Sequence, residues 1–128
     1  MKLIDLFNKI KHNYNHEQKI GNLSLKFWDN GNLRNIGNYE NGKPHGEWKY
    51  FYKISGNLSY IGNYENGKKH DEWKEFHKNG NLWSIVNYRN NKIHGEWQLF
   101  DKNGGLKEVG NSEISFLRMK FTEKLMEI

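Results

Sequence analysis

Between Tyr39 and Val109 the chain states one phrase three times. Segments 39–48 (Tyr-Glu-Asn-Gly-Lys-Pro-His-Gly-Glu-Trp), 64–73 (Tyr-Glu-Asn-Gly-Lys-Lys-His-Asp-Glu-Trp) and 88–97 (Tyr-Arg-Asn-Asn-Lys-Ile-His-Gly-Glu-Trp) share a template. Tyr39, Tyr64 and Tyr88 stand 25 and 24 residues apart, and Trp48, Trp73 and Trp97 keep that spacing. A second phrase recurs in step at Asn30-Gly31-Asn32-Leu33, Ser55-Gly56-Asn57-Leu58, Asn79-Gly80-Asn81-Leu82 and Asn103-Gly104-Gly105-Leu106. A unit this short cannot bury its apolar face alone, so the chain must stack its units into an array that presents a surface.

Each unit holds two runs of extended character. The first is aromatic, as in Glu47-Trp48-Lys49-Tyr50-Phe51, and suits a pleated surface. It ends at Asn-Gly or Ser-Gly, where positive φ is tolerated and a hairpin can close. The second run, such as Leu58-Ser59-Tyr60-Ile61-Gly62-Asn63-Tyr64, closes at Asn41-Gly42, Asn66-Gly67 or Asn90-Asn91. The single proline, Pro44, falls in one of these longer turns, where its missing N–H harms no ladder. Turn signals every ten to fifteen residues, without helical periodicity between them, predict an antiparallel meander.

A degenerate unit precedes the clear ones, because Tyr14, Gly21, Gly31, Leu33 and Ile36 lie 25 residues before Tyr39, Gly46, Gly56, Leu58 and Ile61. The ends read as helices: Leu3, Leu6, Phe7 and Ile10 recur at three-to-four spacing, as do Ile114, Leu117, Phe121, Leu125 and Ile128, with Ser112 as N-cap. Such helices would cover the open sheet edges or one face. Apolar pairs spaced by three, Trp48/Phe51 and Leu58/Ile61 with their repeats, imply either apolar rows on both faces or a bulge in each unit. The expected fold is mainly β: a single-layer twisted antiparallel meander of β-hairpin repeats with short helices at the N- and C-termini. Residues 1–13 form the first helix in this reading. Residues 14–110 form the array, with one degenerate and three clear units of 24–25 residues, and 111–128 a C-terminal capping helix.

The 128 residues bound the chain to one domain, and the 15% aromatic content argues against disorder. Without cysteine there is no disulfide, thiol chemistry or thiolate-held metal. The start lacks a signal-like apolar run and no segment approaches a membrane span, so the expected location is cytoplasmic. The abundance of Asn, Lys and Ile suits an AT-rich bacterial or phage genome. The net charge of +5 lies mainly in residues 1–38, with six Lys/Arg against three Asp/Glu. Residues 39–110 carry eleven against nine, too balanced for an array that tracks phosphates.

The phrase Tyr-x-Asn-Gly-Lys-x-His-Gly-x-Trp followed by Asn-Gly-x-Leu resembles the bacterial variant of the MORN repeat over residues 21–110, most clearly over 37–110. The resemblance implies hairpins in a meander and a non-enzymatic role in contacting proteins or lipids. Proteins with such repeats are often antitoxin components. Departures fall at Asp71 and Asn91, which stand for Gly, and at Ile54, an apparent one-residue insertion.

His45, His70 and His94 recur with Glu47, Glu72 and Glu96 two residues on. Equivalent positions of adjacent hairpins lie about 9–10 Å apart, whereas a zinc ion holds its ligands at about 2 Å. Each His is therefore read as serving its own turn, with no metal site, no cofactor and no catalytic group. Tyr39, Tyr64, Tyr88, Trp48, Trp73 and Trp97 occur in every clear unit and are read as structural packing. The informative aromatics are those that do not recur: Trp83 aligns with Arg34, Ser59 and Lys107, and Tyr60 with Asn35, Ser84 and Glu108. Trp28 aligns with His77 and Asp101, and Tyr52 lies near the same position. Trp and Tyr are favoured interface anchors, so Trp83, Tyr60, Trp28 and Tyr52 are the candidate partner-binding residues. The expected function is a non-enzymatic protein-binding module, acting as an antitoxin, immunity or inhibitor protein on a toxin, nuclease or other effector. A phage- or plasmid-borne inhibitor of a bacterial defence nuclease is one form of it. The alternative is nucleic-acid binding through Lys2, Lys9, Lys11, Lys19, Lys26 and Arg34 with Trp28 stacking on bases, and membrane binding ranks below both.

Overall fold

Asn-Gly turns alternate with aromatic and aliphatic runs, and the chain accordingly folds back on itself at each of them. The computed structural model describes residues 3, 17–111 and 113–126. Nine strands follow in chain order: β1 (Glu17–Ile20), β2 (Leu23–Phe27), β3 (Leu33–Glu40), β4 (Lys43–Phe51), β5 (Leu58–Glu65), β6 (Lys68–Phe76), β7 (Leu82–Arg89), β8 (Lys92–Phe100) and β9 (Leu106–Gly110). They form one antiparallel sheet in which every strand pairs with its chain neighbours, so the meander is realised as a single layer. A helix, α1 (Glu113–Met126), follows β9. The helix expected over 1–13, Tyr14 of the degenerate unit and the Ser112 cap lie outside the described residues, apart from Leu3, whose side chain is exposed.

The spacing of three has both explanations, one for each pair. β4 runs without a bulge of its own from Trp48 to Phe51, so these two side chains point to opposite faces. Leu58 and Ile61 instead pair with Phe51 and Lys49 on one face, because Ser59 is an extra residue in β5. Arg34, Trp83 and Lys107 are the matching extra residues in β3, β7 and β9. The front face carries Trp48, Trp73 and Trp97. The back face carries an unbroken cross-strand row from Leu25 through Ile36, Lys49, Ile61, Lys74, Ile85 and Gln98 to Val109.

A second irregularity sits in each of the long strands. Gly37 pairs with Trp48 but Asn38 with His45, so two residues of β4 are looped out there, and Gly46 takes φ 77. Gly95 holds the same place with φ 79, and Asp71 with φ 58. The departure at Asp71 therefore keeps the backbone of its neighbours, within the left-handed range that Asp tolerates. Asn91 likewise reaches φ 69 where the other units use Gly42 and Gly67. Ile54 lengthens its turn by one residue. Gly56 N–H bonds to the Tyr52 carbonyl, four residues back, while Gly31, Gly80 and Gly104 reach back three.

The helix packs on the front of the last strands, where Phe116 and Met119 join Val86, Trp97 and Leu99 in the buried core. The apolar stripe that marks this helix in the sequence is not the one it buries: Ile114, Leu117 and Phe121 are 70%, 55% and 65% exposed. The sheet beneath offers three apolar side chains, Val86, Trp97 and Leu99, and a buried carboxylate, Glu75, and the side of α1 that matches them is Phe116, Met119 and Lys120. No helix among the described residues is long and apolar enough to cross a membrane.

Candidate partner-binding surface

The recurring aromatics form a ladder across the front face. Successive ring centroids lie 5.3 Å apart for Tyr39–Trp48, 6.0 Å for Trp48–Tyr64, 5.0 Å for Tyr64–Trp73 and 6.4 Å for Trp73–Tyr88, all near edge-to-face. This geometry places the positive ring edge on the negative ring face. The Trp48 and Trp73 indoles lie against Gly37 and Gly62, and their N–H groups donate to the Asn38 and Asn63 carbonyls at 3.0 Å. Trp97 differs. Its neighbour in β7 is Val86 in place of Gly, and its ring lies instead against Gly110, with Nε1 donating to Ser115 Oγ at 3.2 Å. One Gly-to-Val departure thus accompanies the turn of Trp97 toward α1, where it meets Phe116 edge-on at 5.4 Å.

The non-recurring aromatics Trp28 and Tyr52 occupy a repeated place after all. Trp28 Nε1 donates to the Phe51 carbonyl at 3.1 Å and the Tyr52 hydroxyl to the Phe76 carbonyl at 2.5 Å. His77 Nε2 lies 2.9 Å from the Phe100 carbonyl. Indole, phenol and imidazole perform one task, fastening each hairpin to the next. The adjacent turns are tied in parallel: Asn32, Asn57 and Asn81 donate from Nδ2 to the carbonyls of Lys53, Lys78 and Lys102 at 2.9, 3.4 and 2.6 Å.

Tyr60 and Trp83 converge on one point. Lys120 of α1 places its ammonium 5.9 Å from the Tyr60 ring, 5.3 Å from Trp83 and 5.6 Å from Phe116. The same ammonium lies 3.2 and 3.4 Å from the two oxygens of Glu75, a buried carboxylate where β4 and β8 have Tyr50 and Leu99. Three departures from the repeat therefore meet around one lysine. The aligned units single out Tyr60 and Trp83 but not Glu75, and the meeting of the three needs the helix in place. Burial, and then the Glu75 carboxylate, push the Tyr60 phenol well above the usual tyrosine range. Burial similarly raises Tyr50 and Tyr88, and it lowers Lys69, whose ammonium lies over Trp73 and Tyr88 at 4.8 and 4.9 Å.

All four candidate aromatics line hollows of the front face. One cavity of about 730 Å³ is bounded by Tyr52, Phe76, His77, Trp83 and the α1 residues Glu123 and Lys124. A second of about 400 Å³ holds Trp28, Arg34, Tyr52 and Tyr60, and a third of about 280 Å³ continues from Tyr60 to Tyr64 and Tyr88. Shared residues join the three into one groove, which borders the Lys53, Lys78 and Lys102 turns and continues across the front face toward Tyr64 and Lys69. Its lining contains seven Lys/Arg and one carboxylate, Glu123, which is paired with Lys107 at 2.5 Å. Arg34, Lys69, Lys78, Lys102 and Lys124 have no ion-pair partner among the described residues. The near balance of the array conceals a separation: Glu47 and Glu72 reach Lys49 and Lys74, whose positions lie in the back-face row.

Two of the three recurring histidines meet a carboxylate of their own hairpin, His45 with Glu40 at 3.2 Å and His70 with Glu65 at 3.3 Å. Among the described residues no group of three or more His, Cys, Asp or Glu is placed to hold a metal. Of the cations in the nucleic-acid reading, Lys2, Lys9 and Lys11 lie outside the described residues, and the Arg34 guanidinium covers the Trp28 ring at 4.6 Å.

This arrangement of hairpins and turns agrees with comparison to known proteins. Three stretches match the MORN repeat variant: residues 22–41, 72–90 and 93–113. That repeat is a non-enzymatic module. No curated protein matches the chain. Among solved structures, a chain of the crystal structure of the GtfA/B complex bound to UDP and GlcNAc aligns with 88% of this chain and 27% of its own length. The identity is 14% and the TM-score 0.43, so the likeness carries no functional argument.

Proposed function

We propose that this protein is a non-enzymatic protein-binding module whose front-face groove docks on a partner. The carrying observation is that Trp28, Tyr52, Tyr60 and Trp83 line one groove of one face. Each is half-buried: one side is fixed by the scaffold and the other borders the groove. Interface anchors of this kind present large rigid area with little entropy left to lose. In this reading the chain acts on a toxin, nuclease or other effector as an antitoxin, immunity or inhibitor protein does, and a phage-borne inhibitor of a bacterial defence nuclease is its most specific form. The groove lies on a continuous hydrogen-bonded sheet whose turns are tied to one another.

The test is capture of partners from the source cell with the tagged protein, followed by affinity measurement for W83A and Y60A. Loss of about 2 kcal/mol or more of binding for each, with the fold retained, is the expected result. Unchanged affinity in variants that melt like the parent would remove these residues from the interface. Failure to capture any protein would remove the reading itself.

A further inference from the structure

We infer that the groove takes an acidic segment of a protein partner; this rests on the protein-binding reading and gives the partner its chemistry. Positive charge is left over inside the groove. Lys78 and Lys102 stand on adjacent turns and, with Lys124 of α1, border the hollow of about 730 Å³ beside Trp83 and His77, without ion-pair partners among the described residues. Like charges gathered around an aromatic hollow gain from a ligand carrying the opposite sign, and they steer its approach.

The turns that carry these lysines are held in place. Asn79 and Asn81 both donate to the Lys102 carbonyl, at 2.9 and 2.6 Å, and Asn57 donates to the Lys78 carbonyl at 3.4 Å. The ammonium groups thus hang from backbone positions two strands apart, about 9–10 Å, and an extended peptide covers that distance in roughly three residues. Side-chain bonds therefore tie each of these turns to the next.

The ring faces distinguish a carboxylate-bearing peptide from a single-stranded nucleic acid, which also favours basic grooves with aromatics. Base stacking needs free ring faces. Here the Arg34 guanidinium lies over Trp28 at 4.6 Å, and Lys120 lies over Trp83 and Tyr60 at 5.3 and 5.9 Å. Trp28, Tyr60 and Trp83 thus each hold a cation over one ring face, which leaves less free aromatic face for bases. The groove presents positive charge beside aromatic side chains, which suits carboxylates and apolar side chains.

The experiment uses the full chain and a short fluorescein-labelled peptide of alternating glutamate and phenylalanine, with oligothymidylate of equal length as the competing class. The peptide should bind, weaken as salt rises, and lose at least about tenfold in affinity on the double change K78E/K102E, as removal of close charge partners does. The double change K43E/K92E, on the opposite turn edge, should leave affinity unchanged, and circular-dichroism melting should match in all variants. No peptide binding, equal loss in both double variants, or tighter binding of oligothymidylate would each overturn the inference. A captured protein partner that W83A releases while the acidic peptide fails to bind would leave the protein-binding reading standing and sink this one alone.

Discussion

A methyl group added at Gly62 would lie 2.1 Å from the Trp73 indole, and at Gly37 the same distance from Trp48. The buried rings have no room to retreat, so G62A should cost about 1–3 kcal/mol or more in urea unfolding. Trp73→Ala should cost about 3–5 kcal/mol. N81A should cost about 1 kcal/mol for the lost turn-to-turn bond. G105N should gain nothing, because no further turn follows the one it occupies. The buried phenols set a pH dependence. Tyr50, Tyr60 and Tyr88 titrate above their unfolded value of about 10, so their stabilising effect is complete below that pH and is lost as pH rises through the alkaline range. Lys69 is shifted down and acts in the opposite sense, fully stabilising above its unfolded value of about 10.5 and less so as pH falls. The melting temperature should therefore fall steeply above pH ~10, and Y50F should flatten that fall. At this scale the scaffold role of Tyr, Trp and Gly was legible, because each recurs with the period. The common role of Trp28, Tyr52 and His77 was not, because three unlike side chains share only the ability to bond one carbonyl across the sheet.

Helix α1 is joined to the sheet by Phe116, Met119 and the Lys120–Glu75 pair. K120M strands a buried carboxylate and should cost about 3 kcal/mol, whereas the double change E75L/K120M replaces the pair with apolar side chains and should recover most of that loss. A double-mutant cycle in urea measures both. V86G should return to Trp97 the Gly-lined place that Trp73 has beside Gly62, weakening its contact with Phe116. Amide exchange in α1 should then accelerate while β4 to β6 keep their protection. The existence of this helix was evident from apolar spacing, but its buried side was not. Three-to-four spacing marks Ile114, Leu117 and Phe121, which are exposed, and the buried side was fixed by Glu75 and Trp97 on other elements. The bulges were half-legible in the same way. A spacing of three signalled irregularity, and only cross-strand pairing assigned it to Leu58 and Ile61 rather than to Trp48 and Phe51.

The whole molecule is one layer of hairpins, each held by its neighbours through the aromatic ladder, the turn amides and the Trp28–Tyr52–His77 fasteners. That order was written in the period itself, since units joined by short turns can only lie side by side. The separation of charge was hidden, because counting along the chain averages the basic groove with the carboxylates turned elsewhere. The proposed binding surface accordingly lies where the units differ, on the front face, opposite the back-face row from Leu25 to Val109. The most direct test is amide and indole chemical-shift mapping of the labelled protein during titration with its captured partner. The account predicts shifts concentrated at the Trp28 and Trp83 indoles and along the Lys53, Lys78 and Lys102 turns. Shifts concentrated instead on Ile36, Ile61 and Ile85, with the groove silent, would contradict it.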